Sequence, residues 1–327
     1  MNLKEKHYVG VDCHKDSIAC YINGNFKEFK TDFKGFTKAL DWVNKIEPNS
    51  AWAIEGAYSY GLTLSKFLLS SGCEVYEFNA LITAKARKAL SISGEKNDMG
   101  DAKVISIFAK QVKMQVVSLK TIELKRLISN RKLIVKQRTE IILSIKSYCI
   151  KEGIILPFKS LTTKKAVNWL LNQEDFNLNQ MAKNLKIQSE TIKEFEEKIQ
   201  QNTPEKAKKL RELTGIDTLT ASTFYTETKG KKMTKAQFAS YCGVAPVDCS
   251  SGATARHRNN KRGNRTLNSL LYSISIFQSR FDDKGSKYFQ KKMTEGKSKK
   301  LARKHLARQV SNQIWKILFA AWFVTIS

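Results

Sequence analysis

The chain has 327 residues, of which 42% are hydrophobic, so it has the length and apolar content for two or three folded domains and is not a disordered polyelectrolyte. Its 57 Lys and Arg against 30 Asp and Glu give a formal net charge of +27, which calls for a polyanionic partner. Nucleic acid comes first, because neutralising phosphates releases counterions; an anionic membrane surface is the competing reading.

The charge is uneven: residues 1–110 carry 15 basic against 13 acidic residues, and residues 230–327 carry 20 against 4. The polyanion is therefore expected mainly at the C-terminal part. No N-terminal stretch joins a basic flank to an apolar run, so no signal peptide is expected. The apolar run Ile317 to Ile326 is too short to span a bilayer and reads as the buried end of a helix. Cys13, Cys20, Cys73, Cys149, Cys242 and Cys249 form no C-x-x-C pair and sit in mostly apolar surroundings. They read as reduced core residues of a cytoplasmic protein, with neither a disulfide framework nor a zinc site.

Alternation predicts strands over residues 7–14, 17–23 and 25–32 at hairpin spacing, then an amphipathic helix from Gly35 to Ile46. A strand over 51–55, a helix from Tyr60 to Ser70, a strand over 74–79 and a further helix follow. The order βββαβαβ matches a ribonuclease H-like fold better than a doubly wound nucleotide fold, which would alternate from the start. Asp12 interrupts an apolar strand, Glu55 ends another, and Asp98 and Asp101 lie three apart near a helix N-terminus. Four carboxylates converging on one edge repel one another unless divalent cations neutralise them, and Mg²⁺ or Mn²⁺ suits such oxygens. Read singly, each acid is an ordinary turn, strand-end or capping residue. His14 shares a strand face with Asp12, which suggests a structural hydrogen bond or contact with the site.

From Leu119 to Cys149 two seven-residue apolar rows, Leu127, Ile134, Ile141, Tyr148 and Ile128, Val135, Ile142, Cys149, predict one long helix. A break at 153–157, a short helix near Trp169 and a second periodic run from Leu178 to Ile199 complete either an antiparallel hairpin or a coiled coil shared between subunits. Arg126, Arg131, Lys132, Lys136 and Arg138 lie on outer faces of the first helix, either solvated or holding nucleic acid.

Pro204 marks the next boundary. Leu210 and Leu213 end a helix, Thr214 to Asp217 turn, and a helix begins at Leu219, which resembles a helix-hairpin-helix. Thr234 and Gln237 predict a capped helix ending at Cys242, with Phe238 and Tyr241 inward. The chain then enters a turn carrying Ser250, Ser251 and Gly252, followed closely by Arg256, Arg258, Lys261, Arg262 and Arg265. Hydroxyls beside arginines suit a phosphodiester, although a solvated basic loop has the same composition. Beyond it, Leu267, Leu270, Leu271, Ile274 and Phe277 mark one amphipathic helix, and residues 297–319 another. The expected architecture is α/β plus α: a ribonuclease H-like domain over residues 1–115, a helical coiled-coil arm over 116–203, and a basic, mostly helical domain over 204–327.

VGVDCHKDS, AIEGAYSYG, KNDMGDAKVIS, the TGID turn and YCGVAPVDCSSG with its R-x-R and KRGNR resemble, in order and spacing, the IS110 family of insertion-sequence transposases. The resemblance covers essentially the whole chain. It implies an N-terminal RuvC-like domain whose DEDD set falls on Asp12, Glu55, Asp98 and Asp101, and a C-terminal serine transposase domain whose nucleophile falls on Ser251, with Ser250 directly before it. It further implies donor and target DNA as substrates, a divalent metal, a guiding bridge RNA, and homodimers pairing into tetramers near the nucleoid. A RuvC-like hydrolase of branched DNA and a non-catalytic nucleic-acid binder are the alternatives.

Overall fold

The computed structural model describes residues 6–90, 97–112, 114–248, 257–259 and 263–319. The chain starts with three strands, β1 (Tyr8–Cys13), β2 (Ser17–Ile22) and β3 (Asn25–Lys30). The last two are joined by Asn23 and Gly24, both at positive φ (46° and 86°), the two-residue turn whose twist matches paired strands. There follow α1 (Phe33–Ile46), β4 (Ala51–Glu55), α2 (Leu62–Ser70), β5 (Val75–Phe78), α3 (Ala80–Leu90), α4 (Asp98–Ala109) and β6 (Gln115–Val116). The sheet order is β3-β2-β1-β4-β5-β6, antiparallel from β3 to β1, parallel from β1 through β4 to β5, and antiparallel again at β6. This mixed topology with crossover helices is consistent with a ribonuclease H-like fold.

Residue alternation on β1 separates the two faces. Val9, Val11 and Cys13 pack with Phe36 of α1 and with Leu64 and Leu68 of α2. On the opposite face Tyr8 and Ala53 meet Ile105 and Ala109 of α4. Gly10 is required there, because a Cβ would lie 2.1 Å from the Ala102 carbonyl oxygen and 2.4 Å from the Ser106 nitrogen. The bare backbone lets α4 sit directly on β1, and Ser106 Oγ donates to the Tyr8 carbonyl at 2.7 Å.

Helices dominate the rest: α5 (Leu119–Lys151), α6 (Lys164–Leu171), α7 (Phe176–Asn202), α8 (Glu205–Lys208) with a 3₁₀ turn at Lys209–Glu212, α9 (Thr218–Thr228) and α10 (Lys235–Tyr241). A short hairpin, β7 (Pro246–Asp248) and β8 (His257–Asn259), precedes α11 (Arg265–Phe281), α12 (Asp283–Thr294) and α13 (Lys299–Phe319). The chain divides into two compact units, Met1–Ile122 with Glu227–Thr234, and Glu123–Thr226 with Lys235–Ser327.

Within the second unit, α5 and α7 share a core at one end, where Ile145 and Cys149 meet Leu178, Ala182 and Leu185 around Leu170 of α6. Further along, Arg131 Nε donates to Glu196 Oε1 at 3.0 Å, so this arginine is already paired within the chain. Leu127, Ile128, Ile134 and Val135 stay half-buried in the single chain. Leu267, Leu271 and Ile274 of α11 are buried, as are Ala302, Leu306, Val310 and Ile314 of α13, which packs on α11. Phe277 departs from its expected place: it is 46% exposed, its ring centroid lies 4.7 Å from that of Phe281 in a tilted pair, and it lies against Gly215. Tyr241 is half-buried, whereas Phe238 is fully buried. Cys13, Cys20, Cys73, Cys149 and Cys242 are free thiols, while Cys249 and residues 320–326 of the C-terminal apolar run lie outside the described residues.

Candidate active site

Parallel pairing of β1 with β4 in the register Gly10 with Ala53 and Val11 with Ile54 brings Asp12 and Glu55 to the C-terminal ends of adjacent strands. Both follow a residue of the α4 face by two, so both side chains are on that face. The helix supplies the other two acids. Asn97 caps α4 by accepting from the Gly100 nitrogen at 2.6 Å, and Asp98 and Asp101 occupy its first turn, where the helix dipole favours negative charge. Because Ala102 rests on Gly10, this turn falls beside Asp12.

The four acids feel one another. Burial pushes the Asp12 carboxyl above the usual carboxylate range, His14 opposes that shift, and Glu55, Asp101 and Asp98 each add to it. His14 Nε2 lies 3.4 Å from Asp12 Oδ2 and 3.1 Å from Asp98 Oδ1. This nitrogen is enclosed yet satisfies hydrogen-bond geometry with neither carboxylate, so it joins the cluster by proximity. Among the described residues, Asp12, His14 and Asp98 each offer a ligand atom within 4.8 Å of one another. A hard divalent cation fits this donor set: closely spaced carboxylate oxygens, one pushed toward protonation, with an enclosed imidazole nitrogen aimed among them.

Two residues of α3 were not legible as site residues. Thr83 Oγ1 donates to Glu55 Oε2 at 2.5 Å, and Arg87 Nε lies 3.0 Å from Asp101 Oδ1, with both of the latter side chains largely buried. Thr83 and Arg87 are four apart and so share a helical face, the one signal the sequence offered. Cys13, next to Asp12, points to the other face and burial pushes its thiol up to about 12, so it is no nucleophile. The thiol of Cys242 is likewise raised by burial.

In the second unit, β7 and β8 pair antiparallel with Val247 opposite Arg258, and residues 249–256 connect them in the chain. On either side of this hairpin in the chain, Gly263 meets Gly243 so closely that a Cβ on Gly263 would lie 2.6 Å from Gly243 Cα. Asn264 N donates to the Tyr241 carbonyl at 2.7 Å, and Asn264 Oδ1 caps α11 through Leu267 N at 3.0 Å. Arg265 stands exposed at the first position of α11. Ser250, Ser251, Arg256, Lys261 and Arg262 lie outside the described residues, as does the side chain of Arg258.

The Thr214–Asp217 turn is occupied by the chain itself. Gln278 Nε2 donates to the Thr214 carbonyl at 2.9 Å, Thr214 Oγ1 donates to Asp282 Oδ1 at 3.0 Å, and Asp217 Oδ1 takes the Thr220 nitrogen at 2.7 Å. An anionic side chain thus fills the helix N-terminus where a phosphate would sit.

Two family models match the chain. A DEDD transposase model of the IS110 family covers residues 9–149, spanning the four acids, and one described as transposase of the IS116/IS110/IS902 family covers residues 207–290, a range that includes Ser250 and Ser251. The chain belongs to the IS110 family of transposases. No curated protein matches it. As a transposase it is a DNA-cleaving and DNA-joining enzyme, and DNA is its substrate. Among the described residues no helix of this transposase is long and apolar enough to cross a membrane.

Proposed function

We propose that this transposase cuts and rejoins donor and target DNA through a serine nucleophile, Ser251 with Ser250 as its alternative, assisted by divalent cations at Asp12, Glu55, Asp98 and Asp101 and guided by a non-coding bridge RNA. The observation that carries the reading is the convergence of four acids at the ends of β1 and β4 and the first turn of α4, with the Asp12 carboxyl pushed up by burial and by its neighbours. Such a cluster costs stability unless a cation completes it. Mg²⁺ or Mn²⁺ held there supplies Lewis-acid stabilisation of a phosphodiester's oxygens.

The serine hydroxyl attacks phosphorus, an Oγ–P bond forms, and the P–O bond to the sugar breaks, the departing oxygen leaving as a hydroxyl with the serine's proton. A hydroxyl of the strand to be joined then attacks the phosphoserine, which restores the serine and conserves the phosphodiester. Arg256, Arg258, Lys261, Arg262 and Arg265 are the cations available to offset the growing charge on the phosphate. For this the acids and the serine turn serve one phosphate, within a chain or between chains of a homodimer that pairs into a tetramer. Base pairing with the RNA selects the sites, so protein contacts go to backbone and shape.

The test is covalent trapping on labelled DNA with Mg²⁺. The wild type yields a protein–DNA adduct that Ser251→Ala abolishes, with nucleic-acid binding retained. Metal-dependent nicking by Ser251→Ala without any adduct would establish the hydrolase alternative instead. An adduct lost only in Ser250→Ala would move the nucleophile by one residue.

A further inference from the structure

Residues 1–110 are nearly charge-balanced, yet the fold gathers their lysines. Between the edge strand β3 and helix α1 runs a groove of about 710 Å³, lined by Lys27 and Lys30 from the strand and Lys34, Lys38 and Lys45 from the helix. All five are exposed. Lys34, Lys38 and Lys45 are spaced four and seven apart, so they form one stripe along α1, about 16 Å long at the helical rise. Three acids also line the groove, Glu28, Asp32 and Asp41, but Asp32 is committed to capping α1, its Oδ1 accepting from the Gly35 nitrogen at 2.6 Å. The floor is aromatic: Phe29 and the half-buried Trp42 lie 5.7 Å apart between ring centroids.

We propose that this groove binds a single strand of nucleic acid, its phosphates on the α1 lysine stripe and a base against the exposed part of Trp42. Lysines on both walls with an aromatic floor are the two elements of sequence-tolerant single-strand binding. The cleft lies between one strand and one helix. One end of the groove is tied to the acidic edge, since Thr31 N donates to the Asp16 carbonyl at 3.1 Å and Thr31 Oγ1 to the His14 carbonyl at 3.3 Å. A strand in the groove therefore runs toward the loop that carries His14. Edge-strand lysines also guard against aggregation, but that role involves Lys27 and Lys30 and leaves the α1 stripe without a purpose.

The proposal deepens the nucleic-acid reading of the protein and is independent of Ser251 and of the four acids. Its test is fluorescence anisotropy of the full chain with labelled oligouridylate, oligothymidylate and a short duplex, at several salt concentrations. Lys34→Glu/Lys38→Glu/Lys45→Glu should weaken binding of either single strand at least about tenfold and flatten the log–log salt slope by about 2, as expected for ~3 lost phosphate contacts. Lys34→Gln/Lys38→Gln/Lys45→Gln should show the same change in slope with a smaller loss. Reversal of the exposed Lys183, Lys186 and Lys193 on α7 makes the same change in net charge and should leave single-strand binding nearly intact. Equal losses in both triple variants, or a duplex more affected than the single strands, would overturn the proposal. Covalent trapping of the α1 variant keeps the two readings apart: groove binding stands or falls whether or not Ser251 proves to be the nucleophile.

Discussion

Asp12 sits where burial and three neighbouring carboxylates oppose its ionisation, and only His14 favours it. A carboxyl whose folded-state pKa is raised contributes stability below its unfolded pKa of about 3.9, and that contribution is lost as pH rises through the higher folded value. Asp12→Asn should therefore melt higher than the wild type in EDTA at neutral pH, and the gap should close on acidification as the wild-type carboxyl takes up its proton. Thermal melts between pH 4 and pH 8 check this; a variant less stable than the wild type at neutral pH would mean that the carboxylate is satisfied without a cation. In Mg²⁺ the order should narrow or reverse, because only the wild type offers the full carboxylate set. The same variant should lose strand cleavage. His14 belongs to this level of description too: spacing placed it on the face of Asp12, but only its 3.1 Å approach to Asp98, a residue from a different element, makes it part of the cluster.

The element that assembles the site is α4, and what admits it is the absence of a side chain at Gly10. Gly10→Ala would drive a methyl to 2.1 Å from a helix carbonyl, a backbone clash that no rotamer relieves. Overpacking of this kind costs about 1–3 kcal/mol or more, and displacing α4 also carries Asp98 and Asp101 away from Asp12. Urea unfolding should show the stability loss, and Mn²⁺ titration should show weaker metal binding; a variant with unchanged metal affinity would separate the helix contact from the site. By contrast, the ion pair between Arg131 and Glu196 is partly exposed, and its removal should cost no more than about 1 kcal/mol by the same unfolding measurement. The long helix α5 shows the limit of periodicity. Both seven-residue rows lie along it, and among the described residues its far end closes into a core with α6 and α7 while Leu127, Ile128, Ile134 and Val135 stay half-buried. Spacing identifies the face of a helix and does not say how much of that face a single chain covers.

At the scale of the whole molecule, a net charge of +27 on a DNA-processing enzyme makes binding strongly salt-dependent. Wild-type affinity for duplex DNA should fall by orders of magnitude between about 50 and 200 mM salt if six to ten phosphates are contacted, measured by anisotropy at fixed temperature. Counting charge along the sequence assigned that binding to the C-terminal part. The near-balance of residues 1–110 concealed a lysine groove, because a sum over a segment cannot show that α1 lines up its lysines beside those of β3.

Much of the fold was legible because its signals are local. Alternation within β1, the hairpin spacing of the first three strands and the stop at Pro204 are decided by residues within a few positions of one another, whereas the α4 cap read at Asp98 falls one residue earlier, on Asn97. The four acids were legible as separate signals on separate elements; the element order of the fold suggested that they converge, and the family resemblance named them as one set. Thr83, Arg87 and the exposure of Phe277 were not legible, since each depends on which element packs beside it. The sequence by itself determined the order from β1 to β5 with α1 and α2 between them, the long helices, the sign and distribution of charge, and the identity of the acids and serines; β6, the β7–β8 hairpin and α12 were not legible in it. Only the tertiary structure decided that Asp12 and Glu55 stand abreast and that α4 brings its two aspartates to them. The physical reason is that parallel pairing of strands some forty residues apart, and a helix resting on a bare glycine, are long-range packing choices that no short window of sequence contains.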